Sequence, residues 1–158
     1  MPVSAAAFKG FYAVALHGNS SVSLLNIDGT LYKQLSDDFD APTHVIPYQD
    51  GLLVSDRVRG QVIKLLETGE TEVVVDGLMA PEGIAVAGDT IFVFEGDSGE
   101  IKAIKDNVSQ TIATLNGGSP AASSLMPPSM VFNGLAVLDG VVYAADEIDR
   151  SIYTISPQ

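Results

Sequence analysis

The sequence predicts an all-β chain, a β-propeller of four recognisable blades of which the last is incomplete. Three observations predict it: a repeated block of short strands, tight-turn dipeptides at regular spacing, and no sustained helical periodicity. A period near 40 residues built from short strands is typical of propeller blades. Equivalent positions in the four repeats are separated by 40, 39 and 51 residues, and they are Tyr12, Leu52, Ile91 and Val142.

Each repeat is predicted to hold four strands in order. The first is small and apolar, as in residues 84–86, and a turn such as Asp50-Gly51 follows it, because such dipeptides supply the positive φ of two-residue hairpins. The second strand is strongly apolar, as in residues 91–94. A third strand, such as residues 62–65, and a fourth, such as residues 72–75, complete the repeat. We expect inner strands to be buried on both faces and outer strands to alternate.

We assign residues 1–158 to a single propeller domain, with repeats at about 2–41, 42–80, 81–131 and 132–158. The third repeat is longer than the others by about 11 residues, which fall in a Gly-, Pro- and Ser-rich loop over residues 116–130. The fourth repeat ends after its third strand. Three arrangements stay open: a four-blade monomer with an unpaired edge, two chains that complete one eight-bladed ring, and a fragment of a larger propeller.

The charge balance limits the partners. Eight basic and 20 acidic residues give a net charge of −12, so we expect neither nucleic acid nor an anionic membrane as a partner. The acidity suits cations or basic partners, and solubility is the simpler interpretation. The chain has no cysteine, which excludes disulfides and thiolate metal sites.

Two further patterns concern the compartment. No apolar run approaches the roughly 18 residues of a membrane helix. The N-terminal segment lacks the basic region and long apolar stretch of a signal peptide. The localisation is left open, with the cytoplasm favoured.

Three segments carry a resemblance to known proteins: Pro81-Glu82-Gly83-Ile84-Ala85-Val86, Phe132-Asn133-Gly134-Leu135-Ala136-Val137 and Val142-Tyr143-Ala144-Ala145-Asp146. They resemble blades of the senescence-marker-protein/gluconolactonase family and of NHL repeats. Strictosidine-synthase-like proteins and paraoxonases have similar blades. The resemblance covers nearly all of the chain and implies this superfamily of six-bladed propellers, without selecting one activity.

The resemblance also implies a metal site. In the gluconolactonase family a divalent cation at the mouth of the central channel is held by a Glu of a Glu-Gly motif, an Asn of an Asn-Gly-Leu motif and an Asp. Glu82 and Asn133 match the first two motifs, which implies Ca²⁺ as the cofactor and a metal-dependent lactone or ester hydrolase. The equivalent residues of the first two repeats are Val3 and Thr43, and no repeat has an Asp there. The missing ligands would come from a second chain or from further sequence.

His44 follows Thr43 at the position of Gly83 in the third repeat. An imidazole there is a candidate catalytic general base near the channel mouth. The alternative is a histidine that is satisfied by the neighbouring backbone, and this is the interpretation that we favour.

Acidic residues recur at one position after the second strand of three repeats. We expect them to turn the chain by accepting hydrogen bonds from loop amides, with metal binding as the lesser alternative. For the arginines in the same loops there are two alternatives, which are pairing with these acids and contact with an anionic ligand. We expect pairing at the surface, where such pairs contribute little. The acids are Asp56, Glu95 and Asp146, and the arginines are Arg57, Arg59 and Arg150.

Two functional hypotheses result. One is a divalent-metal-dependent hydrolase of a small-molecule lactone or ester. The other is a non-catalytic NHL-type propeller that binds a protein or a small ligand through loop surfaces around the channel. A homodimer that closes the ring is compatible with both.

Overall fold

A computed structural model describes residues 1–115, 133–146 and 150–156. The described chain is all-β, with one short 3-10 turn at His17–Asn19, so the predicted class is confirmed. Contacts divide the chain into two compact units, Met1–Leu78 and Met79–Gln158. The predicted loop over residues 116–130 lies outside the described residues.

The first unit contains two four-stranded antiparallel sheets, blade 1 and blade 2, and in both the strands follow each other in chain order. Every strand therefore pairs with its neighbour in sequence, as expected for a meander. The strands of blade 1 are β1 (Pro2–Phe8), β2 (Phe11–Leu16), β3 (Ser21–Leu25) and β4 (Leu31–Ser36); those of blade 2 are β5 (Pro42–Tyr48), β6 (Gly51–Asp56), β7 (Gln61–Leu65) and β8 (Thr71–Val75).

Blades 1 and 2 are held together by one apolar cluster. It joins alternate residues of β2 and β3 to alternate residues of β5, β6 and β7, because side chains two apart in a strand share a face. Its members with less than 1% exposure include Ala13, Leu24, Leu52, Val54 and Leu65.

The second unit contains a four-stranded sheet, blade 3, and a three-stranded sheet, blade 4, again in chain order. The strands of blade 3 are β9 (Pro81–Ala87), β10 (Thr90–Glu95), β11 (Glu100–Lys105) and β12 (Val108–Thr114); those of blade 4 are β13 (Gly134–Leu138), β14 (Val141–Asp146) and β15 (Ser151–Ile155). A second apolar cluster packs the two sheets together through Phe92, Phe94, Ile101, Val142 and Ala144.

One predicted turn is wrong by one residue. The hairpin between β5 and β6 turns at Gln49-Asp50, with Gln49 at φ +51°, and Gly51 is already the first residue of β6. Gly51 is required for space instead, since a Cβ there would lie 2.5 Å from the carbonyl oxygen of Leu65. The turns predicted at Gly88-Asp89 and Asp139-Gly140 are confirmed.

The burial of the strands follows the prediction only in part. All six residues of β6 are buried, as expected for a strand covered on both faces, whereas burial alternates along β14. The outer strand β4 was expected to alternate, but its first four residues are all exposed. Within the described residues no helix is long and apolar enough to cross a membrane.

Candidate functional site

Glu82 and Asn133 open two neighbouring strands of the second unit. Glu82 is the second residue of β9, and Asn133 immediately precedes β13. Each is only 4% exposed although it is polar. Burial of a carboxylate is costly unless hydrogen bonds compensate it, so the partners of Glu82 determine what the pair can do.

The two residues are joined directly. One carboxylate oxygen of Glu82, Oε2, accepts hydrogen bonds from the main-chain N–H of Asn133 at 2.9 Å and from its side-chain Nδ2 at 2.8 Å. Hydrogen bonds to an ionised acceptor are roughly twice as strong as neutral ones. The pair therefore connects the start of β9 to the start of β13 across 51 residues of sequence.

Glycines make room for this pair. A Cβ on Gly83 would lie 2.7 Å from the carbonyl oxygen of Asn133 and 2.7 Å from the main-chain nitrogen of Leu135. A Cβ on Gly96, just after β10, would collide with the Glu82 carboxylate. The Glu-Gly motif therefore requires glycine at position 83 because two backbones approach closely there.

Sequence reasoning missed Gly96 as part of the site. The signal was available, since Gly96 follows Glu95 and repeats the Glu-Gly pattern of residues 82–83. Its amide donates to the carbonyl oxygen of Ala80 at 2.9 Å, which holds the end of β10 against the entry to β9.

The equivalent positions in the first unit have a different chemistry. Val3 packs against the apolar cluster of blades 1 and 2. The Thr43 hydroxyl lies 3.0 Å from the Ser55 hydroxyl, so neutral groups join β5 to β6 at this point. Ser4, at the position of Gly83, accepts a hydrogen bond from the main-chain N–H of Val45 at 3.1 Å.

His44 lies in β5 opposite Ser55. It is partly buried, and desolvation lowers the pKa of its imidazole to about 4 from an ordinary value of 6.5. Burial favours the neutral ring, which is therefore uncharged at neutral pH but weakly basic. Its role as a general base stays a prediction.

The acids after the second strands bind loop amides, as predicted. Asp56 accepts hydrogen bonds from the main-chain N–H groups of Asp40 at 2.7 Å, Ala41 at 3.1 Å and Arg59 at 3.1 Å. Glu95 accepts one from the N–H of Met79 at 2.9 Å and one from the Ser98 hydroxyl at 3.1 Å. The structural role is confirmed at these two positions.

The arginine prediction is confirmed for Arg59. Its guanidinium lies 2.8 Å from the carboxylate of Asp38, 3.3 Å from that of Asp40 and 3.8 Å from that of Asp56. The hydrogen bond with Asp38, which is the largest contribution, raises the pKa of Arg59. The contacts of Arg59 with Asp38 and Asp40 hold the loop before β5 against the loop after β6.

Glu82 and Asn133 are the residues of the predicted site that could hold a metal. Among residues 1–115, 133–146 and 150–156 there is no group of three His, Cys, Asp or Glu side chains that could bind one. The pair offers carboxylate and amide oxygens, which suit a hard cation such as Ca²⁺. His44 belongs to the first unit and Glu82 and Asn133 to the second.

No protein-family model matches this chain. No curated protein matches its sequence either.

Solved structures do match it. The computationally designed Ika4 protein is 12% identical with a TM-score of 0.63, covering 98% of this chain and 89% of that one. Virginiamycin B lyase from Staphylococcus aureus is 14% identical with a TM-score of 0.63, covering 97% of this chain and 54% of the lyase. A chain in the nidogen/laminin complex is 12% identical with a TM-score of 0.66, covering 99% and 76%.

The chain thus spans about half the length of the lyase that it matches. At such low identity the likeness shows the fold alone, and the fold is that of a β-propeller with antiparallel blades.

Proposed function

We propose that this chain binds a divalent cation through Glu82 and Asn133, with Ca²⁺ as the preferred ion. The observation that carries the proposal is the contact itself: two buried side chains that both carry oxygen open neighbouring strands, and Asn133 Nδ2 donates a hydrogen bond to Glu82 Oε2 at 2.8 Å. The residue types are those that the gluconolactonase resemblance implies at these positions.

The donor set fits Ca²⁺ as part of a shell. This ion takes six to eight oxygen ligands, which include carboxylates, amide carbonyls, backbone carbonyls and water. Glu82 would contribute a carboxylate oxygen and Asn133 its Oδ1. The N–H groups of Asn133 orient the carboxylate, and the carboxylate itself occupies the space that a side chain at Gly96 would take.

Hydrolysis of a lactone or ester is the reaction that we propose for such a centre. A bound cation polarises a carbonyl and lowers the pKa of bound water. The chain's own part is to fix the carboxylate and to exclude bulk water from it, since both side chains are only 4% exposed.

The test is whether the metal-stripped chain binds calcium, which is measured by calorimetry and by thermal unfolding. We expect Ca²⁺ to raise the melting temperature, because a ligand of the folded state stabilises it, and we expect Glu82→Gln to abolish the effect. The matched control is Glu67→Gln, which changes a surface carboxylate that is 46% exposed; this variant should bind Ca²⁺ like the wild type.

Lactone hydrolysis is then measured with and without Ca²⁺. Equal calcium responses of wild type and Glu82→Gln would overturn the proposal.

The second candidate is a non-catalytic binding module, in which Glu82 and Asn133 serve as a structural clasp. It is favoured by the two N–H groups that Asn133 already donates to one carboxylate oxygen, and by the structural use of Asp56 and Glu95. In that case Ca²⁺ leaves wild-type stability unchanged, while Glu82→Gln lowers it.

A further inference from the structure

Blade 4 has one covered and one exposed face. Residues directly opposite each other in paired strands share a face. The pairs Val142–Ile155 and Ala144–Tyr153 lie on the face that packs against blade 3. The register places a second set on the other face, which we call the Tyr143 face: Ala136, Leu138, Val141, Tyr143, Ala145, Ile152 and Thr154.

Apart from the Thr154 hydroxyl, the Tyr143 face is apolar, and it is open. Leu138 is 63% exposed and Ile152 is 73% exposed. Ala136 and Ala145 are exposed as well, and Tyr143 is partly exposed. This is why burial alternates along β14 but not along β6. A contiguous apolar surface of this kind marks an interaction site more often than chance exposure does.

The repeats indicate what such a face packs against. Tyr143 is equivalent to Ala13 and Phe92, each of which directly follows the repeat-defining position of its blade. Ala13 lies in one cluster with Leu52 of the next blade, and Phe92 lies in one cluster with Val142 of the next blade. In both units, therefore, this face is covered by the following blade, through the face that bears Leu52 or Val142.

Blade 1 exposes a face of the matching type. Tyr12 is equivalent to Leu52 and Val142. It shares its face with Ala7 and Leu25, and the next positions are Ala5 and Val14; these five residues form the Tyr12 face. Tyr12 is 42% exposed, and Ala5 and Ala7 are exposed too. Leu25 is partly buried and Val14 is only 5% exposed, so the open part of this face is the end that bears Ala5, Ala7 and Tyr12.

Neither face carries charge. Strands β1, β2 and β3 contain no charged residue, in a chain that has 28 of them (8 basic and 20 acidic). In β13, β14 and β15 the sole charged residue is Asp146, which is 4% exposed and falls on the covered side. Charge depletion is typical of the buried centre of a protein interface.

The geometry points to a second copy of this chain as the partner, with the Tyr143 face of each copy packed on the Tyr12 face of the other. Each copy has one face of each type, so in a symmetric dimer each Tyr143 face has a Tyr12 face of the other copy to pack against. The association repeats the packing already present between blades 1 and 2 and between blades 3 and 4. It does not depend on the proposed cation.

The experiment is sedimentation equilibrium of the purified chain at micromolar concentration. The expected mass is twice 16.5 kDa. Ile152→Lys places a charge in the Tyr143 face, and Tyr12→Lys places one in the Tyr12 face, so each should weaken association at least about tenfold. The control is Val58→Lys, an exposed site (70%) outside both faces, which should leave the dimer intact.

Mixing the variants tests that the two faces are different. The Ile152→Lys chain keeps its Tyr12 face and the Tyr12→Lys chain keeps its Tyr143 face, so the 1:1 mixture has one undamaged contact. It should associate more tightly than either variant alone. Circular dichroism verifies folding, and Leu138→Lys and Ala7→Lys replace any variant that fails it. A monomeric wild type, a mass above two copies, or a dimer that survives both Tyr12→Lys and Ala7→Lys would overturn the proposal.

Discussion

At the scale of single residues, main-chain amides satisfy the buried carboxylate of Asp56. Asp56 accepts three such hydrogen bonds and is 0% exposed. The sequence predicted this role from its position after a second strand. It could not predict which amides would be bound, because two of the three precede Asp56 by 15 and 16 residues and reach it only when the blade has folded.

His44 gives a pH prediction at the same scale. The pKa of its imidazole is about 4 in the folded chain against 6.5 as the ordinary value. The unfolded chain therefore binds more protons between these values, so the stability from neutral His44 is complete above pH 6.5 and is lost as the pH falls toward 4. The loss amounts to about 3 kcal/mol.

The measurement is urea unfolding at pH 7 and pH 4.5 for wild type and His44→Gln. The carboxylates titrate in both proteins, so the difference between them isolates the imidazole. We expect a smaller loss of stability on acidification in the variant. Identical losses would show that His44 is not kept neutral by burial.

At the scale of elements, the close approach of β9 and β13 positions the candidate site. Gly83→Ala would bring a Cβ to 2.7 Å from two backbone atoms of the β13 entry. We expect it to lower the free energy of unfolding by about 1–3 kcal/mol, since backbone has to move. Denaturant unfolding measures this loss.

Gly134→Ala is the matched control. It is the glycine of the Asn-Gly motif, yet its nearest neighbour would be the Cβ of Ala145 at 3.9 Å. We expect a change between zero and about 1 kcal/mol of stabilisation, from the reduced entropy of the unfolded chain. A Gly134→Ala loss as large as that of Gly83→Ala would contradict the assigned contact.

At the scale of the whole molecule, net charge and apolar surface have opposite effects on self-association. The net charge of −12 repels a second copy, while the two uncharged faces favour one. Salt screens the repulsion between exposed charges. We therefore expect an increase from about 0.01 to 0.15 M NaCl to raise the melting temperature and to strengthen self-association, measured by calorimetry and sedimentation. Weaker association at the higher salt would point to an ionic contact instead.

The sequence by itself determined the elements and their order. Strand patterns, turn dipeptides and the repeat of about 40 residues are local properties, since they depend on neighbours within a hairpin. They sufficed to predict four blades, and they placed Glu82 and Asn133 at strand openings. The turn at Gln49-Asp50 was misplaced by one residue. Glycine is needed at position 51 because a Cβ would collide with the carbonyl oxygen of Leu65 on the next strand, and not because the backbone there has a positive φ.

Only the tertiary structure decided which residues of different strands and sheets contact each other. The hydrogen bond from Asn133 to Glu82 spans 51 residues of sequence. The collision that forbids a side chain at Gly96 involves a residue of another strand, and the exposure of Ile152 depends on which sheet face is covered. Apolar strands look alike in sequence whether a blade covers one face or both. Packing between sheets is non-local, so burial, hydrogen-bond partners and the open faces could not be derived from the pattern along the chain.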